Sequence, residues 1–444
     1  MNRDLTQGSP YKALWMFTIP MFVSVIFQQL YNIADSVVAG KFAGEDALAA
    51  VGASYPITMI FMAVAVGSNI GCAVVISQLF GAKRYGELKT AVYTTLISSS
   101  VISGILMALG FIFCRPMLLG LQTPENVFED GALYLNIYIG GFLFLFLYNV
   151  STGIFTSLGD SRTPLYFLIG SSLGNIVLDL VFVIVFHWGV AGVAWATFLA
   201  QGAACVLALA ALKKRLGFIP AEGEEKKFSW GMLKRISMVA VPSILQQSFI
   251  SVGNLFIQSL VNSFGSSVIA GYSAAVKLNT FTITSLTTLG NGLSSFTAQN
   301  IGAGKPERVK KGFHAGLGMG ILAASTFLVL YWFFAEMVIS IFMEEPGGEA
   351  MKTGVEFLKI VSPFYPVIMG KLIADGVIRG AGCMKQFMIS TFTDLILRVI
   401  LSYILAAPMG AAGIWLSWPI GWTIAAVISI GFYLQGRWKK SGLV

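Results

Sequence analysis

Residues 236–276 read ISMVAVPSILQQSFISVGNLFIQSLVNSFGSSVIAGYSAAV, 41 positions without a charged side chain. A helix crosses the hydrocarbon core of a bilayer with roughly 20 residues. The run is therefore too long for one crossing and long enough for two. It divides at 262–267, NSFGSS, where small and polar residues favour a tight turn. The reading is helix, short turn, helix, both inside a membrane.

The same pattern extends outward in both directions. Residues 13–34, 47–82, 90–114, 131–159, 278–304 and 399–436 are also free of charge. The last of these divides at 408–413, PMGAAG. None alternates apolar and polar residues at period two, so a transmembrane β-barrel is excluded. Of 444 residues 56% are hydrophobic and only 11% are charged, with a mean hydropathy of +0.77. A soluble domain carries about 25% charge and could not bury this much apolar surface. The chain reads as an all-α membrane protein with twelve spans, near 14–38, 48–79, 90–113, 132–154, 164–186, 190–212, 236–261, 268–299, 313–341, 355–378, 387–407 and 411–435. The first run is long enough to span and follows charges of both signs, so we read it as a span and not a cleaved leader.

Lys and Arg fix the orientation. With twelve spans, 22 of them fall on the side of both termini and the even-numbered loops, and four on the other. Both termini are expected in the cytoplasm. The net charge of +8 then follows from topology, and no nucleic-acid partner is expected.

The chain also repeats itself. Ser77–Ala82 matches Ala298–Ala303, and Gly44 with Leu48-Ala49-Ala50 matches Gly265 with Ile269-Ala270-Gly271, both at an offset of 221. Gly153–Gly159 matches Gly376–Gly382 at 223, and Gly189–Val193 matches Gly410–Ile414 at 221. Each repeat holds six spans. An even number makes both enter the membrane in the same sense, so the repeat is parallel and not inverted. The expected organisation is an N-lobe at 1–212, a cytoplasmic linker at 213–235 and a C-lobe at 236–444. Two six-helix bundles suggest a transporter.

Soluble-enzyme chemistry is missing. Gly304-Lys305 lacks the rest of a phosphate-binding loop, and His187 and His314 sit in no zinc-protease motif. Gly170–Gly174 has the form GxSxG but lies in an apolar span, where close helix packing is the expected role. The four cysteines have neither metal nor disulfide spacing.

Intramembrane charges carry more information. Asp394 has Arg398 one turn on; Asp375 lies between Lys371 and Arg379, one turn away on either side. Asp35 and Asp179 have no base at that spacing. Their neighbours one turn back are Tyr31 and Asn175, which offer hydrogen bonds only. An acid in low dielectric without a base takes a proton or binds a cation.

Pro20 with Gln28-Gln29-Leu-Tyr31-Asn-Ile-Ala-Asp35-Ser-Val-Val-Ala-Gly40, then Ala47–Gly52, Gln78–Lys83, Gly159–Pro164, Asn175–Asp179 and Gly189–Thr197, resembles the multidrug and toxic compound extrusion (MATE) family, nearest its bacterial DinF/MepA-like branch. The resemblance covers nearly the whole chain. It implies a two-lobed antiporter of the bacterial plasma membrane, exporting cationic amphiphilic drugs against H⁺ or Na⁺ by alternating access. It implies a cation site, for H⁺ or Na⁺, at Asp35, Asn175, Asp179 and Thr197, with Tyr31, Tyr134 and Asn149 as the surrounding polar network. Small organic cations would be the substrates and the lipid bilayer the surroundings of a monomer; the coupling ion apart, no cofactor is implied. Arg398 and Ser402 stand at the repeat positions of Asn175 and Asp179, and Cys383 at that of Asp160, so the C-lobe has no copy of this site. Lys277 and Asp375 are weaker C-lobe candidates. The rival readings are a flippase for lipid-linked sugars, whose cavity should present several bases, and an ion channel, which the two-lobe repeat disfavours.

Overall fold

The computed structural model describes residues 4–220, 223, 225–342 and 348–444; the side chains at 35–37, 39, 40, 45, 46 and 48 lie outside the description. The described residues fold as helices in the order α1 (Pro10–Val38), α2 (Glu45–Gly81), α3 (Tyr85–Gly120), α4 (Glu125–Gly140), α5 (Phe142–Ser157), α6 (Arg162–Leu180), α7 (Gly189–Gly217), α8 (Trp230–Asn262), α9 (Ser266–Gly302), α10 (Pro306–Phe333), α11 (Ala335–Ser340), α12 (Glu349–Val361), α13 (Tyr365–Gly380), α14 (Met384–Met409) and α15 (Ala411–Leu434). Ten helical stretches are long and apolar enough to cross a membrane. An eleventh forms from α4 and α5, bent by 48° where Gly140 and Gly141 meet. Paired glycines weaken helix continuity and are a recognised cause of a kink. The twelfth expected span is α9, 37 residues long but studded with Ser, Thr and Asn, which lower its hydropathy. One of the ten joins α12 and α13 across Ser362-Pro363-Phe364, a single 3₁₀ turn at the proline.

The repeat seen in the sequence is a repeat of backbone. Gly44 and Gly265 adopt φ of 99° and 95°, Gly159 and Gly382 of 76° and 83°, and Gly189 and Gly410 of 56° and 62°. These left-handed values suit glycine, so the matched glycines mark equivalent turns.

The chain divides into two compact units, one of Met1–Asp4, Val23–Ser248 and Val444, the other of Leu5–Phe22 and Phe249–Leu443. They depart from the expected lobe boundaries at the first helix of each repeat. The start of α1 belongs with the second unit and the start of α8 with the first. Hydrogen bonds show why. Gln299 and Asn300 bond the backbone of Leu5, and Arg308 gathers the carbonyls of Leu5, Gln7 and Gly8. Equivalently, Thr90 and Thr94 of α3 accept from the amides of Lys226 and Ser229, and Lys89 pairs with Glu225 at 2.6 Å. The segment at 213–235 is thus partly helix (the ends of α7 and α8) and partly a strand of chain bonded to α3.

Within the first unit, α2 packs on α3, α4 and α5, while α7 packs on α4, α5 and α6. Within the second, α9 lies on α13, and α15 on both α13 and α14. There the approach is backbone to backbone: a Cβ at Gly376 would stand 2.6 Å from the carbonyl oxygen of Gly290. Gly170 and Gly174, by contrast, have nothing within 4 Å, so the expected close packing of GxSxG is not found. That stretch is an ordinary part of α6.

Two helices end unusually. Five residues of π-helix follow α1 at Ala39–Ala43, and five follow α6 at Val181–Val185. The two π segments pack together. Among the described residues the second repeat has none.

Candidate functional site

Asn175 and Asp179 lie one turn apart on α6, so their side chains share a face. The Nδ2 of Asn175 donates to Oδ2 of Asp179 at 2.6 Å. Its Oδ1 accepts from the hydroxyl of Tyr31, on α1, at 3.0 Å. Both ends of the amide are therefore used, and its donor and acceptor orientation is fixed. Asn175 is 2% exposed and Asp179 is fully buried. Asp179 is the penultimate residue of α6, two residues before its π-helical end begins; Asp35 is three residues from the end of α1 and one turn beyond Tyr31. A π turn widens the helix and is frequent at functional sites. The side chain of Asp35 lies outside the described residues, so its part in this chain of bonds stays an expectation from the sequence.

Thr197 and Tyr134 come together elsewhere in the same unit. With Tyr138, Gln201 and Phe198 they line a small cavity among α4, α5 and α7. The buried hydroxyl of Tyr138 meets no partner among the described residues. The sequence reading missed Tyr138; its signal was its place one helical turn after Tyr134. Asn149 is turned onto its own helix, its Nδ2 donating to the carbonyl of Leu145 at 2.9 Å. The geometry thus joins Tyr31, Asn175 and Asp179 directly and sets Tyr134 and Thr197 around a cavity, with α7 packed against both α4 and α6.

On α1 the amides continue: Gln28 donates to Asn32, and Asn32 to Gln29, both at 3.2 Å. Asn32 is exposed.

The second repeat's candidates behave differently. Lys371 pairs with Asp375 at 2.6 Å, and Ser429 donates to the other carboxylate oxygen at 2.6 Å. Asp375 is therefore held by its own helix and by α15. Lys277 is exposed and lies over the ring of Phe342, 6.0 Å from its centre; no contact with Asp375 is described for it. Arg379 bonds Asn291 and Ser294 of α9. The pairing expected between Asp394 and Arg398 is absent: among the described ion pairs they form none, and Arg398 stacks on Trp418 instead, 4.3 Å from the ring centre.

Asp160 and Cys383, at equivalent turns, also differ. Asp160 accepts from the amides of Arg162 and Thr163 and from the Thr163 hydroxyl, capping the start of α6, with Arg215 at 3.4 Å. Cys383 instead faces the hydroxyl of Ser441 at 3.0 Å. Burial pushes its thiol up, and the bond with Ser441 offsets part of that.

The family pattern described as MatE matches residues 20–181 and 242–404. The chain is 30% identical over 442 residues to "Probable multidrug resistance protein YpnP" of Bacillus subtilis, covering 99% of this chain and 98% of the relative. It is 27% identical over 450 residues to "Probable multidrug resistance protein YoeA" of the same organism, covering 99% and 96%. A solved structure of a MOP superfamily transporter from Pyrococcus furiosus has the same fold, with a TM-score of 0.91, 22% identity and 98% of each chain covered.

Proposed function

This chain belongs to the MatE family of transporters, and we propose that it is a secondary antiporter, not an enzyme, which exports cationic amphiphilic compounds in exchange for H⁺ or Na⁺. The observation that carries the reading is the bonded row of Tyr31, Asn175 and fully buried Asp179 at the π-helical end of α6. A buried carboxylate is a group whose free energy changes steeply when a proton or Na⁺ arrives. An ion shifts an equilibrium between two conformations only by its differential affinity for them. A site built from α1 and α6, both ending in packed π turns, supplies such a difference, because neutralising the acid alters how α1 is held to α6. Membrane potential adds about 2.3 kcal/mol per charge for each 100 mV.

On this reading Asp35 is the second acid of the site and Thr197 a further ligand, with Tyr134 in the surrounding polar network. No organic cofactor is needed. The protein acts as a monomer in the bacterial plasma membrane with both termini cytoplasmic. Lys227→Cys, at an exposed position, should be labelled by an impermeant maleimide in inverted vesicles and not in intact cells; labelling of intact cells would reverse the orientation.

The deciding experiment is dye efflux from proteoliposomes, driven separately by a Na⁺ gradient and a pH gradient. Asp179→Asn and Asp35→Asn should each lose gradient-driven efflux at normal folded abundance. Asp35→Asn should still bind a fluorescent cation in detergent, with an affinity that no longer responds to pH or Na⁺. Efflux that persists in both variants would remove the reading.

A further inference from the structure

The repeat assigns each residue of the first site a counterpart. Asn175 and Asp179 correspond to Arg398 and Ser402 at an offset of 223, and Thr197 corresponds to Trp418 at 221. These counterparts meet. Arg398, on α14, stacks on Trp418, on α15, with 4.3 Å from the guanidinium carbon to the ring centre. Both are buried, at 6% and 5% exposure. The hydroxyl of Ser402 donates back to the carbonyl of Arg398 at 2.9 Å. Where the first repeat places the amide of Asn175, the second places a fixed base, and where the first has its acid the second has a serine.

One turn before Arg398 lies Asp394, 7% exposed. Its Oδ1 and the Nε of Arg398 are buried without a hydrogen-bond partner among the described residues. The carboxylate is pressed on α15: a Cβ at Gly421 would stand 2.9 Å from that oxygen. Its charged surroundings are few. From α13 come Lys371 and Asp375, which are spent on each other, and Arg379, which is spent on α9. From α15 comes no charged side chain, and α8 has none between 236 and 262. Arg398 is thus the nearest unspent positive charge to Asp394 along its own helix.

We propose that Arg398 is a resident cation: its guanidinium, seated on Trp418, supplies the second repeat with the positive charge that the first repeat takes from solution, and so keeps Asp394 from acting as a second ion site. The proposal rests on the coupling role given above to the first repeat. A charge held in low dielectric over an indole face is stabilised by the ring quadrupole, and a buried acid and base one turn apart neutralise each other without needing direct contact. Remove the base, and Asp394 must find another cation.

The test counts monovalent cations on the purified full-length chain, as ²²Na⁺ bound at saturation and as protonated carboxyl groups in the infrared spectrum. Arg398→Gln should gain one cation per chain, either a Na⁺ or a carboxyl proton. The gain should vanish in Arg398→Gln with Asp394→Asn, and Arg398→Lys should show none. A folded Arg398→Gln chain with the wild-type count would overturn the proposal. If Arg398→Gln fails to fold, the double variant decides. Recovered folding supports mutual neutralisation; failure of both shows that the guanidinium only packs, which overturns it. Equal counts in the wild type and Asp179→Asn would remove the coupling role of the first repeat instead, a separate result from the difference between the single and double variants at Arg398.

Discussion

The first repeat sets Asn175, Asp179 and Thr197 on α6 and α7; the second sets Arg398, Ser402 and Trp418 on α14 and α15. The backbone frame is shared, down to the left-handed glycines at 189 and 410. The charge is not. One repeat buries an acid at a π-helical helix end, bonded to Asn175; the other buries acids with bases on the same helices. The lesson is that a duplicated fold preserves turns and helix contacts, because these are constraints on packing. It leaves polar residues free to diverge, because only a partner's charge decides what each position can hold.

The sharpest break in that comparison is Asp179→Asn. It should reduce gradient-driven efflux to background while the protein still reaches the membrane folded, because only an ionisable group can exchange an ion. Retained efflux would make the two repeats equivalent after all. The next effect is on stability. Asp375→Asn leaves Lys371 buried without its acid and should cost about 3 kcal/mol, read as a lowered thermal midpoint in detergent. Efflux per folded molecule should be retained. Loss of efflux at unchanged midpoint would move ion coupling into the second repeat.

Smaller is Tyr31→Phe, which deletes one hydrogen bond to Asn175. A net worth of about 1 kcal/mol predicts roughly a fivefold weaker response to the coupling ion, measured as a shift in the ion concentration giving half-maximal efflux. No shift would show that α1 does not steady Asn175. Smallest is the contrast at the equivalent turns. Asp160→Ala should cost about 1 kcal/mol through the lost cap. Cys383, its thiol raised by burial, stays protonated near neutral pH. Its reaction with maleimide should be slow there and should accelerate only above the range of an ordinary thiol. Fast labelling at pH 7 would show an exposed thiolate.

Much of this was legible in the chain. Uncharged runs gave twelve spans, and α9 shows the limit of hydropathy alone: it is a full-length helix whose polar residues pack inside the second unit, with Asn300, Gln299 and Thr282 all buried. Asn175 and Asp179 could be paired from their spacing. Their bond to Tyr31 crosses 144 residues and could not. Tyr138 was missed because a tyrosine in an apolar run looks like packing until the cavity beside it is seen.

Charge spacing on one helix proved the less dependable guide. Lys371 and Asp375, four apart, do pair; Asp394 and Arg398, also four apart, do not. The difference is α15, which brings Ser429 to Asp375 but the Trp418 ring to Arg398. The sequence by itself determined the all-helical membrane class and the parallel repeat. These follow from hydrophobicity, chain length and helical periodicity, which act locally. Only the tertiary structure decided which units the starts of α1 and α8 join, where the π turns meet, and which buried charges are neutralised. Those depend on what a neighbouring helix presents at a given height, and that is set by packing between residues far apart in the chain.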